Sequence, residues 1–357
     1  MNVAKVKLVL VTLGFLLLAS CVETPLPQEV NGPSITDSRV VEHFMPGVEA
    51  VEVEEDFSQD PQYETVSEAF EAWENSSFQT QGVTGNTKVQ LRTHTFSNGE
   101  KYRYSIYNGV IFDGDVILGT SKELQADIAA YEEYLASSKS SEGIETQGAM
   151  YKPFCSSQFL FVCNERRGGG WPGGILYVDS SSLSSNFTSS QQTSIRNALT
   201  TLDNATDITV RYTTTGDRVK LTNKEDGCYA VPGRSSKQPQ ILNLADGCVV
   251  SGTIIHEFGH ALGLMHEHQR TDRDSFIVIN TSNLTSKGLD NMRPKIDHES
   301  RTTYDYASIM HYPRTTSDST FVKSTAEPIL TIVGSYTGMV GGSVLTSRDI
   351  QAINARY

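Results

Sequence analysis

The sequence predicts an α+β protein with two folded parts, and three observations carry that reading. Apolar residues fall at helical spacing in some stretches and at strand spacing in others, with no regular strand–helix–strand repeat. Charge divides the chain: residues 22–148 hold 23 acidic and 7 basic side chains, whereas residues 149–357 hold 19 and 20. A polar, small-residue stretch, 137–148, lies at that division and reads as a linker. Length and composition (357 residues, 38% hydrophobic, 20% charged) fit a soluble globular chain of two parts. No strongly basic surface is visible at a net charge of −13, which argues against nucleic acid as a partner.

The start of the chain reads as an export signal over residues 1–20. Lys5 and Lys7 precede an apolar run, residues 8–18, that is short for a membrane span. The run ends in Leu18-Ala19-Ser20-Cys21, which resembles the lipobox of bacterial lipoproteins; the resemblance implies cleavage before Cys21, its acylation, and a lipid-anchored protein of the cell envelope. Five cysteines support this, because removing Cys21 leaves Cys155, Cys163, Cys228 and Cys248, an even set for an oxidising compartment. Residues 21–61 are acidic and proline-containing, and read as a tether. Residues 62–148 form the first folded part. Helical spacing over 63–73 puts Val66, Phe70 and Trp73 on one side, alternation over 101–107 marks a strand, and 121–135 fits a helix that Ser121 could cap.

The second folded part, residues 149–357, follows. A glycine-rich loop leads into a strand at 175–178, and 189–202 reads as a helix with Ile195, Leu199 and Leu202 inward. Short strands are expected at 208–212, 220–222 and 240–244, and a second long helix from Ser251.

That helix carries the chemistry. His256 and His260 are four residues apart, so on a helix they share one face and can reach one ion. Glu257 can reach a water on that ion and act as its base. Gly263 accepts the left-handed backbone of a sharp reversal, which can bring His266 back as a third ligand. Three imidazoles with one open position are the arrangement of catalytic zinc, which activates water and polarises a carbonyl.

The full run HEFGHALGLMHEHQRTDRD, His256 to Asp274, resembles the astacin family of metzincin zinc peptidases residue by residue, and the resemblance extends over most of the second part. It implies one zinc ion per chain, endopeptidase activity on protein or peptide substrates, and a catalytic domain with a mixed sheet, two long helices and a zinc cleft between two subdomains. Tyr304-Asp305-Tyr306-Ala307-Ser308-Ile309-Met310-His311-Tyr312 is similar to the family's Met-turn, placing Met310 beneath the metal and giving Tyr312 the role of transition-state donor. The resemblance further implies a Cys228–Cys248 disulfide, a cleft-bordering edge strand at 240–244 that holds extended substrate, and a site near Glu267 for a newly cut N-terminus. The family's second disulfide has no counterpart here, which leaves Cys155 to pair with Cys163.

Phe112-Asp113-Gly114-Asp115 matches the propeptide motif of the same family. By that resemblance Asp115 takes the open metal position and keeps the precursor latent, the chain's own first part acting as its inhibitor. A cut at 146–150 or at Arg166-Arg167 would then activate it. A zinc-binding adhesin or inhibitor of the same fold is the alternative from another class, and a zinc hydrolase of a non-peptide substrate is a third. The intact Glu257 opposes the first, and the expected edge strand the second.

Overall fold

The computed structural model describes residues 49–75, 89–99, 101–138, 170–224, 227–294 and 302–357, all within the unit Arg39–Tyr357. The expected signal segment, Cys21, Cys155, Cys163 and both candidate activation sites lie outside the described residues.

The first folded part begins earlier than the sequence suggests. β1 (Ala50–Glu52) pairs in parallel with β2 (Val89–Thr95), and a 3-10 turn, Phe57–Gln59, follows it. Residues 49–61, expected as the end of a tether, are therefore part of the fold. Their acidic side chains have partners distant in sequence: both Asp60 oxygens accept from Arg92 at 2.7 Å, and Glu55 accepts from Tyr104 at 2.7 Å. α1 (Val66–Asn75) buries Ala69 and Phe70. β3 (Lys101–Tyr107) and β4 (Val110–Asp113) form a hairpin turned at Asn108-Gly109, where both residues have positive φ (45° and 78°), as a two-residue Asn-Gly turn requires. β5 (Val116–Thr120) pairs antiparallel with β4. α2 (Ser121–Ser138) is capped by Thr120, not Ser121: Thr120 and Glu123 exchange side-chain and backbone bonds at 2.9 and 3.2 Å, a capping box. Ser121 instead donates to Asp60 at 2.6 Å.

The second part runs β6 (Ile175–Asp179), α3 (Ser180–Asn186), α4 (Ser189–Ala205), β7 (Thr209–Thr213), β8 (Val219–Thr222), β9 (Cys228–Ala230), β10 (Gln240–Leu244) and α5 (Ser251–Ala261). α3 was not expected from a serine run. Asp179 starts it by accepting from the amides of Ser181 and Ser182. α4 follows a Thr188–Gln191 capping box and buries Ile195, Leu199 and Leu202 as its spacing predicts. Beyond α5 come β11 (Ile277–Ile279), α6 (Ser286–Asn291), β12 (Leu330–Ile332) and α7 (Ser347–Asn354), with β11 and β12 paired antiparallel. The class is α+β, as expected.

The ten strands β1 to β10 form one sheet in the order β1-β2-β3-β4-β5-β9-β10-β8-β6-β7, so the first part extends the sheet of the second. This corrects the expected edge. Gln240–Leu244 is an interior strand, parallel to β8 on one side and antiparallel to β9 on the other, with all five residues buried. On the side facing the first part, the edge strand of the second part is β9, and Val116 of β5 pairs with its Ala230. Alternation sets what each face of these strands meets. Cys228, Ala230, Leu242 and Leu244 join the core of α4 and α5, while Tyr229 and Ile241 share a cluster with Phe70, Phe112 and Ile117 of the first part.

Cys228 and Cys248 form a disulfide across 20 residues, tying β9 to the approach to α5. Replacing both by alanine is expected to lower unfolding stability by roughly 3 kcal/mol, the loop-closure value for a loop of this size. Denaturant titration of the double variant against wild type checks this. Among the described residues no helix is long and apolar enough to cross a membrane.

Candidate metal centre

α5 is buried over almost its whole length, and three local features aim its histidines. His256 and His260 lie one turn apart on one face. Between them, a Cβ on Gly259 would stand 3.0 Å from the Met310 sulfur, so the bare glycine lets the helix rest directly on Met310. The helix then ends at Gly263, at φ 97°, with Gly263 N donating to His260 O at 2.7 Å and Leu264 N donating to Gly259 O at 2.9 Å. These are the two bonds of a Schellman cap, and they turn the chain so that His266 returns to the site.

The structure brings His256, His260, His266 and Asp115 together, all buried, with one ligand-type atom from each lying within 4.8 Å of the others. Asp115 Oδ2 is 3.3 Å from His256 Nε2, and Asp115 Oδ1 is 3.5 Å from His260 Nε2 and 2.9 Å from His266 Nε2.

The far ring nitrogens are each held. His256 Nδ1 donates to Ile309 O at 2.8 Å, His260 Nδ1 to Leu264 O at 2.8 Å, and His266 Nδ1 to Gln269 Oε1 at 3.2 Å. A carbonyl oxygen can only accept, so these bonds put the proton on Nδ1 and leave the Nε2 lone pair facing inward. Nε2 of His260 and of His266 and Oδ1 of Asp115 are buried without a hydrogen-bond partner. Three imidazole nitrogens and one carboxylate oxygen converging in one buried cluster suit a zinc ion.

The other predicted site residues fall around this cluster. Glu257 is buried beside His256. The Tyr312 ring packs on His268 at 4.0 Å and on His266 at 4.9 Å between centroids. Met310 lies under α5, and its carbonyl accepts from Glu267 N at 3.1 Å. The Glu267 carboxylate accepts from Asp305 N at 2.7 Å and from Arg270 at 3.0 Å, and burial pushes its pKa up to about 7. Residues 139–169, the source of any new N-terminus, lie outside the described residues.

Several contributors were missed in the sequence. Asp349 of α7 accepts from Ser308 Oγ at 2.6 Å and from Ile309 N at 3.0 Å, fixing the turn whose Ile309 carbonyl orients His256. The capping box Thr346–Asp349 is legible, but this second role is not. Gln269 and Asn291 were also missed; Gln269 Nε2 donates to Asn291 O at 2.9 Å. Gly114 was read only as part of a motif. It sits at φ 65°, and a Cβ there would meet Asn291 Oδ1 at 2.9 Å and Tyr312 Oη at 3.1 Å. Gly114→Ala is therefore expected to lift Asp115 out of register and raise the activity of the uncut chain severalfold, roughly what 1 kcal/mol of strain allows. A peptide-hydrolysis assay on the uncut variant checks this.

The model of the Astacin peptidase family matches residues 166–357, more than half of the chain. The chain belongs to the astacin family. High choriolytic enzyme 1 of Oryzias latipes is 33% identical over 179 residues, covering 49% of this chain and 64% of its own length. Zinc metalloproteinase nas-13 of Caenorhabditis elegans is 43% identical over 139 residues, covering 37% of this chain and 29% of its own length. The chain thus spans less than two thirds of both relatives. The solved structure of the fish protein, described as a hatching enzyme zinc-protease, aligns at 29% identity over 54% of this chain and 94% of its own, with a TM-score of 0.47. Astacin membership accounts for the second part of this chain; residues 49–138 lie outside the matched range.

Proposed function

We propose that this chain is a zinc endopeptidase of extended protein substrates, made as a latent precursor in which Asp115 fills the substrate-side metal position. The observation that carries the reading is the convergence of three Nε2 atoms and the Asp115 carboxylate in a buried cluster. Zinc, when bound, supplies Lewis acidity, lowering the pKa of water and polarising a carbonyl. His256, His260 and His266 would hold the ion with Nε2, their rings being held by Ile309, Leu264 and Gln269. Glu257 takes the proton of the attacking water on its carboxylate and passes it to the departing amine. The Tyr312 hydroxyl donates to the oxygen that gains charge. The edge of β9 offers backbone groups to an extended peptide once β5 has left.

In the uncut chain the same edge is taken by Val116, and Ala230 N donates to Asp115 O at 2.9 Å. The first part thus acts as the inhibitor of the second. Lipid anchoring at Cys21 and location in the cell envelope belong to the proposal through Leu18-Ala19-Ser20-Cys21 alone. Mass spectrometry finding an unmodified Cys21 would contradict them.

The test is hydrolysis of casein by the processed chain freed of residues before 149, with and without a chelator. Chelator-sensitive cleavage, restored by zinc, is the expected result. No cleavage by a zinc-loaded, folded sample would contradict the enzyme reading.

A further inference from the structure

The first part touches the second at places far apart around the sheet, and only one of them is the metal cluster. On the face of β9 and β10 away from α5, Phe70 and Phe112 pack on Tyr229 at 5.7 and 5.6 Å. At the start of α1, Ser67 donates to Pro239 O at 2.6 Å. Across the hairpin, the buried Asp290 of α6 accepts from Ser105 at 3.0 Å, and Arg293 donates to Arg103 O at 2.8 Å. Residues 49–138 also hold an apolar cluster largely their own, including Phe96, Tyr104, Ile111 and Leu124.

We infer that residues 49–138 form a separable inhibitor subunit that stays bound after the connecting chain is cut, held by the Tyr229 face and the Asp290 contact independently of Asp115. The inference rests on the latent-precursor reading. It assigns the outer face of β9 and β10, with Asp290, as an interaction surface whose partner is this chain's own first part, acting in trans once severed. Cutting at residues 139–169 then produces a two-chain complex, not a free enzyme. Release needs dissociation or destruction of the first part. The physical basis is multiplicity: each contact keeps the others at high effective concentration, so loss of one leaves the complex bound.

The test uses the full chain with a sequence-specific protease site placed within 139–169, cut to completion and run on gel filtration at micromolar concentration. The two pieces are expected to elute together, with casein hydrolysis still suppressed, and to separate in mild denaturant. Separate elution without denaturant overturns the inference. A second arm carries Asp115→Ala: its cut pieces are expected to remain together, and separation on that change alone overturns the claim of an independent anchor. A third arm carries Phe70→Ala with Arg103→Ala, the latter removing a guanidinium whose Nε lies 3.6 Å from Asp290 Oδ1. Co-elution is expected to be lost, the affinity falling roughly 30-fold or more, while the circular dichroism of the uncut chain is unchanged. Unchanged affinity in that folded variant overturns the surface. The latent-precursor reading fails separately, if the uncut wild-type chain already cleaves casein as fast as the second part alone.

Discussion

Replacing Glu257 by alanine in the processed chain is expected to lower peptide hydrolysis by roughly 10²–10⁴-fold, the span general-base catalysis contributes, while zinc content stays near one per chain. Two facts separate these effects. Glu257 follows His256 on α5 and is buried, so it lies next to the metal cluster. It is not among the four residues whose ligand atoms converge. Removing it takes away a proton acceptor but no ligand. His260→Ala is the contrast, since it removes an Nε2 from the converging set and is expected to lose zinc and activity together. Metal analysis alongside kcat distinguishes the cases. A Glu257→Ala chain that holds zinc and retains wild-type kcat contradicts the assignment of the base.

Replacing Asp115 by alanine in the uncut chain is expected to raise hydrolysis of a short peptide by roughly tenfold or more over the uncut wild type, the equivalent of about 1.4 kcal/mol removed from the blocked state. The carboxylate contacts all three imidazoles at 2.9 to 3.5 Å, so its loss opens the position it holds. The rise is expected to stop short of the processed enzyme. Val116 still pairs with Ala230, and the Tyr229 face remains covered. Large substrates such as casein are expected to gain less than short peptides for that reason. An Asp115→Ala chain as silent as wild type toward both substrates contradicts the switch.

How much of this was legible in the sequence depended on distance along the chain. The three histidines of the cluster were legible because helix period and the Gly263 reversal place them within eleven residues, by local rules alone. Asp115 was legible only through a resemblance, since nothing local connects it to His266 across more than a hundred residues. The partners that orient the rings were not legible: His256 reaches the Ile309 carbonyl at a separation of 53, and backbone carbonyls carry no sequence signal. β9 was missed because three residues are too few to show alternation, and the family resemblance put the edge at its neighbour β10. Residues 49–61 looked like a solvated tether because acidic composition does not reveal that Arg92 and Tyr104 wait for Asp60 and Glu55.

In the uncut chain His256, His260, His266 and Asp115 are expected to hold one zinc ion among them. Anomalous diffraction at the zinc edge, from crystals of the full chain grown with zinc, tests it most directly. One strong peak is expected, at roughly 2.0–2.2 Å from three imidazole Nε2 atoms and one Asp115 carboxylate oxygen. A peak coordinated by the three histidines with Asp115 turned away, or no peak at this cluster, would contradict it.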